Sequence, residues 1–414
     1  MNPNNNKGNL QINVTSAGDA RPIPGARVSI AYTGVPETTL EELTTDSSGQ
    51  TETIALDTPP LEYSINPNVD IQPYSEYTLT ITAPEFESIS ISGTELLPDV
   101  TALQNVRMRP LTPVASQEEV FVIPAHTLYG DYPPKIPEAE IKPVRETGEI
   151  VLSRVVVPEY IVVHDGSPRD STAQNYYVKY KDYIKNVASS EIYATWEPAA
   201  IRANVLAIMS FTLNRVYTEW YRNQGYDFTI TSSTAFDHKW IPERNIYDTI
   251  SVIVDELFAS YLSRPNVKQP ILTQYCDGRQ VQCPNWMTQW GSQSLAQRGY
   301  SAIEILRYYY GDNMYINTAQ EISGIPSSWP GYNLEQGSTG DKVRQMQEQL
   351  NVIAGAYPAI PKLTVDGIYG PATAATVREF QSVFGLPVTG IVDYRTWYKI
   401  SEIYVGVSRI AELV

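Results

Sequence analysis

Two proline-rich stretches constrain this chain most strongly, because they divide it into parts that must fold around separate cores. The first, residues 111–150, includes the run KIPEAEIKP, and the second, residues 323–333, reads SGIPSSWPGYN. Proline removes a backbone donor and fixes φ, so such runs form extended connectors rather than helices or inner strands. A chain of 414 residues is also too long for one ordinary core. We therefore expect a multidomain protein with three folded units.

The first unit, residues 1–110, is expected to be an all-β sandwich. The segments LQINV, ARVSIAY, YTLTITA and SISISG alternate apolar and polar residues, as half-buried strands do. Turn-forming runs such as DARPIPG and DSSGQ separate them. Short strands at this spacing are typical of an immunoglobulin-like sandwich. PIPGARVSI, TDSSG and YTLTI, in this order, also resemble carboxypeptidase-regulatory-like domains, a resemblance that implies a fold and little about chemistry.

The second unit, residues 151–322, mixes strand and helix patterns and predicts an α+β domain. Strand-like segments are RVVVPEYIVVHDG, YYVKYKDYI, DFTITSSTAF and PILTQYC, and helical segments are DTISVIVDELFASYL and SQSLAQRGYSAIEILRYYY. Between them, apolar residues recur at helical spacing from Trp196 to Val216. This spacing predicts a buried helix over roughly residues 196–218.

The third unit, residues 334–414, is expected to be a small three-helix domain. Val343, Met346 and Leu350 recur at helical spacing, and so do Val377 and Phe380. The runs QGSTGDKVRQMQEQLN and DGIYGPATAATVREFQSVFGLPVTGIVDYRTW resemble the peptidoglycan-binding domain type 1 family. The resemblance implies that this domain holds cell-wall peptidoglycan.

The charge balance limits the classes of partner. The chain has 30 basic and 46 acidic residues, a formal net charge of −16, so it lacks the basic excess that neutralises nucleic acid or anionic membranes. No run approaches the roughly 20 apolar residues that cross a bilayer. The start, MNPNNNKGNLQINV, has neither the basic nor the apolar region of a signal peptide. We expect no nucleic-acid partner, no membrane span and no visible signal peptide.

Several familiar catalytic patterns are missing from the sequence. It contains no G-x-S-x-G elbow, no phosphate-binding G-x-x-x-x-G-K-[ST] loop and no H-E-x-x-H zinc motif. The three histidines, His126, His164 and His238, lie far apart in the chain. His126 lies in the first connector, where a structural or solvated role is expected, and His164 lies at a strand end, where a turn or core role is expected.

Two glutamates in VASSEIYATWEPAAIRANVLAI are candidates for a carboxyl acid. Thr195 can cap the predicted helix, which would place Glu197 in its first turn, where its charge favours the positive end of the helix dipole. Glu191 falls ahead of that helix, in a loop or at the start of an element, and has no comparable structural role. A carboxyl among apolar residues can keep its proton near neutral pH, as a general acid requires.

The same region carries a second family resemblance. YKDYIKNVASSEIYATWEPAAIRANVLAIMSFTLNR and MTQWGSQSLAQRGYSAIEILRYYYGD resemble the stage II sporulation protein D family, although MTQWG replaces the more usual MSQYG. Members of that family are lytic transglycosylases, which cut the glycan strands of peptidoglycan. The resemblance implies that Glu191 is the catalytic acid. Weaker candidates for substrate contacts are Ser190, Asp237 and Gln289, with Asp237 also a candidate helper carboxylate. The implied mechanism requires no cofactor.

The two cysteines, Cys276 and Cys283, leave three states open: one disulfide, two thiols or half of a metal site. The sporulation protein D family carries a cysteine-containing loop at this place, which helps some members to bind zinc with a nearby histidine. The resemblance therefore implies a candidate structural zinc site made of His238 and both cysteines. The spacing of the cysteines is not that of a short zinc knuckle.

The order of the units resembles that of the spore cortex-lytic enzymes of clostridia. That family is made as an inactive precursor, stored in the dormant spore and activated by a subtilisin-like germination protease. The resemblance implies a transglycosylase of spore cortex peptidoglycan, with activating cleavage near residues 150–157. Two alternatives stay open: an N-acetylmuramoyl-L-alanine amidase and a non-catalytic cell-wall-binding protein.

Overall fold

The computed structural model describes residues 6–17, 20–111, 118–142, 154–319, 321–322, 330 and 332–408. The strands are β1 (Asn6–Ser16), β2 (Arg27–Tyr32), β3 (Thr39–Thr44), β4 (Ile54–Thr58), β5 (Ser75–Thr82), β6 (Ile89–Leu96), β7 (Thr101–Met108), β8 (Glu119–Val122), β9 (Val156–Val157), β10 (Tyr160–His164), β11 (Asn175–Lys179), β12 (Ile230–Thr231), β13 (Ile246–Tyr247), β14 (Ser260–Ser263), β15 (Tyr275–Cys276), β16 (Met287–Thr288), β17 (Tyr315–Thr318) and β18 (Glu321–Ile322). The helices are α1 (Glu62–Ile65), α2 (Tyr180–Glu191), α3 (Pro198–Tyr217), α4 (Asp248–Leu257), α5 (Gln289–Gln297), α6 (Ala302–Tyr310), α7 (Asp341–Ala356), α8 (Pro371–Val383) and α9 (Tyr394–Ser408).

The N-terminal part contains two sheets that share an apolar core. One has the strand order β3-β2-β5-β6-β8 and the other the order β13-β7-β1-β4. The predicted alternation places Leu10, Ile12 and Val14 of β1 in this core, together with Leu79 and Ile81 of β5. Edge strand β8 comes from the first proline-rich stretch, and edge strand β13 comes from the central part of the chain. The N-terminal sheets are therefore completed at two edges by residues from outside the predicted unit.

A buried ion pair joins the N-terminal sheets to the central part beside β13. The guanidinium of Arg244 donates to both carboxylate oxygens of Glu95, at 2.7 and 2.5 Å. The side-chain amide of Asn245 bonds the backbone N–H and C=O of the same glutamate at 3.0 and 2.9 Å. Removing one partner of such a pair would leave an uncompensated buried charge, so the contact specifies how the two parts dock.

Helix α3 is the centre of the central part. Every residue except Pro198, Ala199 and Arg202 is buried, including the polar Ser210 and Arg215, whose side chains are hydrogen-bonded. Helices α2, α4, α5 and α6 pack around it. The helix starts two residues later than predicted. The predicted N-cap is wrong, because Glu197 occupies the N-cap position, without a capping bond from its side chain. The Thr195 hydroxyl instead bonds the Ser64 hydroxyl at 2.8 Å.

Other segment boundaries also differ from the sequence patterns. The segment YYVKYKDYI contains most of β11 and the start of α2. In PILTQYC, only the last two residues form a strand, β15. The long helical pattern near residues 289–310 is two helices, because Ser301 begins α6 with a capping box to Glu304. Periodicity alone does not locate such breaks, since the capping side chains compete locally with helix continuation.

The C-terminal part has the three predicted helices, α7, α8 and α9, around a common core. Two buried glutamine side chains hold its turns. The Gln347 amide donates to the Asp366 carboxylate and accepts from the Gly367 N–H. The Gln381 amide does the same between the Ile391 carbonyl and the Gly390 N–H. In the part of the chain that the structure describes, no helix is long and apolar enough to span a membrane.

Candidate functional site

The candidate acid Glu191 is the last residue of α2 and is fully buried. It was expected in a loop or at the start of an element ahead of α3; instead it ends α2, whose helical hydrogen bonds continue up to the Ile192 N–H, which bonds the Ala188 carbonyl at 3.0 Å. The chain then turns away in an extended conformation. A carboxylate at a helix C-terminus faces the negative end of the helix dipole, so this position does not stabilise the charged form.

Two donors hold the Glu191 carboxyl group. The Lys239 backbone N–H donates to Oε1 at 2.6 Å, and the Tyr275 hydroxyl donates to Oε2 at 2.5 Å. Burial raises the pKa of Glu191, while the nearby Lys135 ammonium and the two hydrogen bonds oppose that rise. The group is therefore an oriented buried carboxyl whose affinity for a proton is above that of an exposed glutamate.

A lysine from the first connector lies beside this carboxyl. Lys135 is buried, donates to the Asp237 carbonyl at 2.6 Å, and places its ammonium 4.4 Å from the centre of the Tyr275 ring. Burial lowers the pKa of Lys135, while the charge of Glu191 opposes this. Tyr132 is also buried, and its hydroxyl makes no hydrogen bond among the described residues. The connector thus contributes directly to the surroundings of the candidate acid.

Residues 123–142, here called the covering segment, pass beside the site, with a turn at residues 127–130 and no helix or strand. Hydrogen bonds along its length attach it to the central part. They include Thr127 Oγ1 to the Ser190 carbonyl (2.8 Å), Ile136 N–H to the Ala235 carbonyl (2.8 Å), Glu138 N–H to Gln274 Oε1 (2.9 Å) and Leu272 N–H to the Glu140 carbonyl (3.0 Å). His126, expected to be structural or solvated, is buried and packs on the Tyr193 ring at 4.5 Å. The covering segment therefore excludes solvent from the Glu191 carboxyl.

Asp237 is arranged as a structural carboxylate. It accepts bonds from Arg215 Nε (2.7 Å), the Tyr221 hydroxyl (2.7 Å), and the N–H and hydroxyl of Thr231 (2.9 and 2.7 Å). With these four donors, both carboxylate oxygens are occupied. The role of a free helper carboxylate does not fit this geometry, although the Asp237 carbonyl does hold Lys135 beside the candidate acid.

The zinc site suggested for His238, Cys276 and Cys283 does not fit the structure. The two cysteines form a disulfide with Cα atoms 6.0 Å apart, so neither sulfur is a free thiolate ligand. His238 is buried with Nδ1 3.1 Å from the Tyr183 hydroxyl and its ring stacked on that of Tyr275. Among the described residues, no group of three or more His, Cys, Asp or Glu side chains is arranged to hold a metal ion.

The two remaining candidates, Ser190 and Gln289, are both buried. Ser190 directly precedes Glu191 in the chain. The Ser190 hydroxyl bonds the Asn186 carbonyl at 2.8 Å, which is a helix back-bond rather than a free donor. Gln289 begins α5 directly after β16, the strand that pairs with β15, which carries Tyr275. Both polar atoms of the buried Gln289 amide lack a partner among the described residues. No hydrogen bond among the described residues links this amide to Glu191.

Lys135 and Tyr275 were not among the site residues predicted from the sequence. Tyr275 stands directly before Cys276 in YCDGRQVQC, a run that drew attention only for its cysteines. Lys135 lies in a proline-rich connector, where an exposed side chain is the ordinary expectation. No local signal distinguishes either residue, because their importance comes from contacts with residues 56 to 140 positions away in the chain.

Comparisons with known proteins support the C-terminal assignment. Residues 339–400 match the family model described as "Putative peptidoglycan binding domain". The zinc D-Ala-D-Ala carboxypeptidase of Streptomyces albus G is 43% identical over 77 residues, 18% of this chain and 28% of that protein. An uncharacterized protein of Kitasatospora aureofaciens is 41% identical over 83 residues, 20% of this chain and 64% of that protein. The chain thus spans less than two thirds of each relative.

Among solved structures, the SleB N-terminal domain is similar in part. It is 27% identical, and the match covers 19% of this chain and 99% of that one, with a TM-score of 0.17. The family match defines the class of one domain: residues 339–400 are similar to the family described as "Putative peptidoglycan binding domain", and peptidoglycan is the ligand that this description names.

Proposed function

We propose that this protein is a lytic transglycosylase of spore cortex peptidoglycan, made as a precursor and activated by proteolysis during germination. Its domain order resembles that of the clostridial cortex-lytic enzyme SleC. The observation that carries the proposal is the Glu191 carboxyl, which two donors of the central part, the Lys239 N–H and the Tyr275 hydroxyl, orient independently of the covering segment. A general acid must hold a proton near the working pH and release it to a positioned oxygen.

In the proposed reaction, Glu191 acts first as an acid and then as a base. Its proton passes to the glycosidic oxygen between N-acetylmuramic acid and N-acetylglucosamine as the bond from that oxygen to C1 breaks. The carboxylate then takes the proton of the muramic 6-hydroxyl, whose oxygen bonds to C1 and forms a 1,6-anhydro end. The Tyr275 hydroxyl and the Lys239 N–H stabilise the carboxylate between the two steps. Glu191 ends the cycle protonated.

The covering segment supports the precursor part of the proposal. Glu191 has no exposed surface, and Lys135 of the covering segment lies close enough for its charge to act on the carboxyl, so we expect a glycan strand to reach the carboxyl only after the segment moves. The covering segment follows directly on β8 at the edge of the N-terminal sheet. Of the predicted cleavage region, residues 150–153 lie outside the described part of the chain, and β9 occupies residues 156–157. A cut there would free the covering segment to leave with the N-terminal sheets.

Analysis of the reaction products tests the proposed chemistry. The full chain is cut with a subtilisin-like protease and incubated with purified cortex peptidoglycan, and the released muropeptides are analysed by mass spectrometry. We expect 1,6-anhydro-muramic ends from the cut protein and at least about a hundredfold fewer from the uncut protein. Free L-alanine amino termini would instead indicate an amidase. Reducing ends would indicate a hydrolase, and binding without release a wall-binding protein.

Two matched variants assign the acid. Glu191→Gln keeps the shape of the side chain and removes its proton transfer, so release of anhydro ends should fall by about 10²–10⁴-fold. Glu197→Gln is the control, since Glu197 begins α3 without a capping bond from its side chain. Retained release by Glu191→Gln would exclude Glu191 as the acid. Unchanged wall binding by both variants would show that the C-terminal domain is intact.

A further inference from the structure

Two glutamates of the covering segment are each held by an arginine of the central part. Arg215 donates to both carboxylate oxygens of Glu138, at 3.0 and 2.6 Å. Arg264 donates to both carboxylate oxygens of Glu140, at 2.6 and 2.8 Å. Paired bonds of this kind match the planar guanidinium to a planar carboxylate, which is how proteins recognise carboxylates.

Both guanidinium groups are also fixed by residues outside the covering segment. The Nε of Arg215 donates to the Asp237 carboxylate at 2.7 Å, and its side chain has no exposed surface. Arg264 bonds the side chain of Asn313. Each arginine therefore keeps its orientation when the covering segment departs, with two N–H donors facing the vacated space. The buried Arg215 would then lose a partner, which favours an incoming anion.

The two arginines lie along the path that the covering segment takes from Glu191. Lys135 is beside the Glu191 carboxyl, and Glu138 and Glu140 follow three and five positions later in the same segment. The Lys142 ammonium of the covering segment also bonds the Glu138 carboxylate. The two arginine-bound carboxylates therefore lie on the stretch of the covering segment that follows its contact with the candidate acid.

We propose that Arg215 and Arg264 form a carboxylate-binding subsite under the covering segment, which occupies it with Glu138 and Glu140 in place of substrate carboxylates. The proposal rests on the function proposed above, because it takes peptidoglycan as the ligand. Peptidoglycan carries carboxylates from two sources: the lactyl group of muramic acid without a stem peptide, and the carboxyl groups of stem peptides. A carboxylate from either source would accept hydrogen bonds from the paired guanidinium N–H donors of these arginines.

Binding measurements with a catalytically inactive variant test this subsite. A recognition sequence for a site-specific protease is placed within residues 143–153 of the full chain carrying Glu191→Gln, and the protein is cut. Its affinity is measured for three soluble glycan fragments: one with stem peptides, one with free lactyl carboxylates, and the first with all carboxylates amidated. We expect the carboxylate-bearing fragments to bind more tightly than the amidated one.

Arg264→Gln is the informative variant, because Arg264 is partly exposed and less critical for folding than Arg215. It should weaken binding of at least one carboxylate-bearing fragment about tenfold or more and leave the amidated fragment within about twofold. The fragment that loses affinity identifies the source of the carboxylate. The matched control is Arg202→Gln, whose arginine pairs with Glu256 at 2.6 Å within the central part. Equal affinities for parent and Arg264→Gln, or equal losses for all fragments, would overturn the proposal.

A second variant tests the occupancy of the subsite by the covering segment. Glu138→Gln with Glu140→Gln removes the competing carboxylates, so the uncut double variant should bind the carboxylate-bearing fragments about tenfold more tightly than the uncut parent. No change would contradict the role of the covering segment as an occupant. These measurements do not depend on bond cleavage. A failure to find anhydro ends would therefore reject the proposed reaction separately from the subsite.

Discussion

The Tyr275 hydroxyl donates a hydrogen bond of 2.5 Å to Oε2 of the buried Glu191 carboxyl. The bond joins the end of α2 to β15, two elements that are 84 residues apart. Tyr275 itself is fixed by the Lys135 ammonium over its ring and by stacking with His238. The candidate acid is therefore oriented by packed side chains rather than by a mobile loop.

Removing the Tyr275 hydroxyl should change the pH dependence of catalysis. The bond lowers the pKa of Glu191 against the effect of burial, so Tyr275→Phe should raise that pKa. A general acid loses activity as pH rises through its pKa, so the alkaline limb of kcat/KM for the cut enzyme should move to higher pH. We also expect about a tenfold lower maximal rate, since a charge-assisted bond to the intermediate carboxylate is lost.

Tyr310→Phe is the control for that measurement. The Tyr310 hydroxyl is buried and bonds the Gln274 carbonyl at 2.9 Å, without contact to Glu191. Its removal should lower stability and leave the alkaline limb in place. A limb that moves equally in both variants would mean that Tyr275 acts only through the fold.

Stability should fall with rising pH because of Glu243. Burial raises the pKa of this carboxyl to about 7 from 4.5, with Arg107 and Arg109 opposing and Glu119 adding to the rise. Because the pKa of Glu243 is higher in the folded state, the folded protein binds more protons than the unfolded chain between pH 4.5 and about 7. The stabilisation by the protonated Glu243 carboxyl is therefore fully present below pH 4.5 and is lost as the pH rises through about 7. Glu243→Gln should therefore be more stable than the parent at pH 8, by about 1–3 kcal/mol.

Urea unfolding at two pH values checks that prediction. At pH 4.5 the parent and Glu243→Gln should unfold at similar urea concentrations, and at pH 8 they should differ. Glu37→Gln, which changes an exposed glutamate of the N-terminal part, should have little effect at either pH. A Glu243→Gln variant that is no more stable at pH 8 would show that the carboxyl is ionised there without cost.

Thiol and metal analysis should distinguish the disulfide from the zinc hypothesis. With Cys276 and Cys283 bonded to each other, the native protein should contain no bound zinc, and the protein denatured without reductant should contain no reactive thiol. After reduction it should show two thiols and lose about 2 kcal/mol of stability, as expected for a short closed loop. Two thiols without reduction, together with one zinc per chain, would restore the metal site.

A close contact at Gly291 should make that glycine intolerant of a side chain. A Cβ there would lie 2.1 Å from both Thr288 Oγ1 and the Tyr309 hydroxyl. Gly291→Ala should therefore lower the free energy of unfolding by about 1–3 kcal/mol. Gly355→Ala is the matched control, because Gly355 lies in α7 with no atom within 4 Å of its Cβ position. That variant should be neutral or slightly stabilising, as measured by thermal unfolding.

Local patterns predicted several elements because their causes are local. The alternation in β1 and β5 follows the two-residue period of a strand, and the spacing in α3 follows the helical turn. Helix ends were less predictable: Thr195 was expected to cap α3, but its hydroxyl bonds Ser64, 131 positions away. A cap depends on which partner reaches the side chain, and distant partners are not visible in a pattern.

By itself, the sequence determined the three-helix C-terminal domain, whose core spacing and turn residues lie within about 60 residues, and it singled out Glu191 by resemblance to a family. Tertiary structure alone decided what surrounds that carboxyl. Tyr275, Lys239 and Lys135 reach it from three separate segments, and the last of these belongs to a connector that sequence reasoning treated as a linker. Burial and hydrogen bonding are properties of the folded chain, because they depend on which distant segments exclude water from one another.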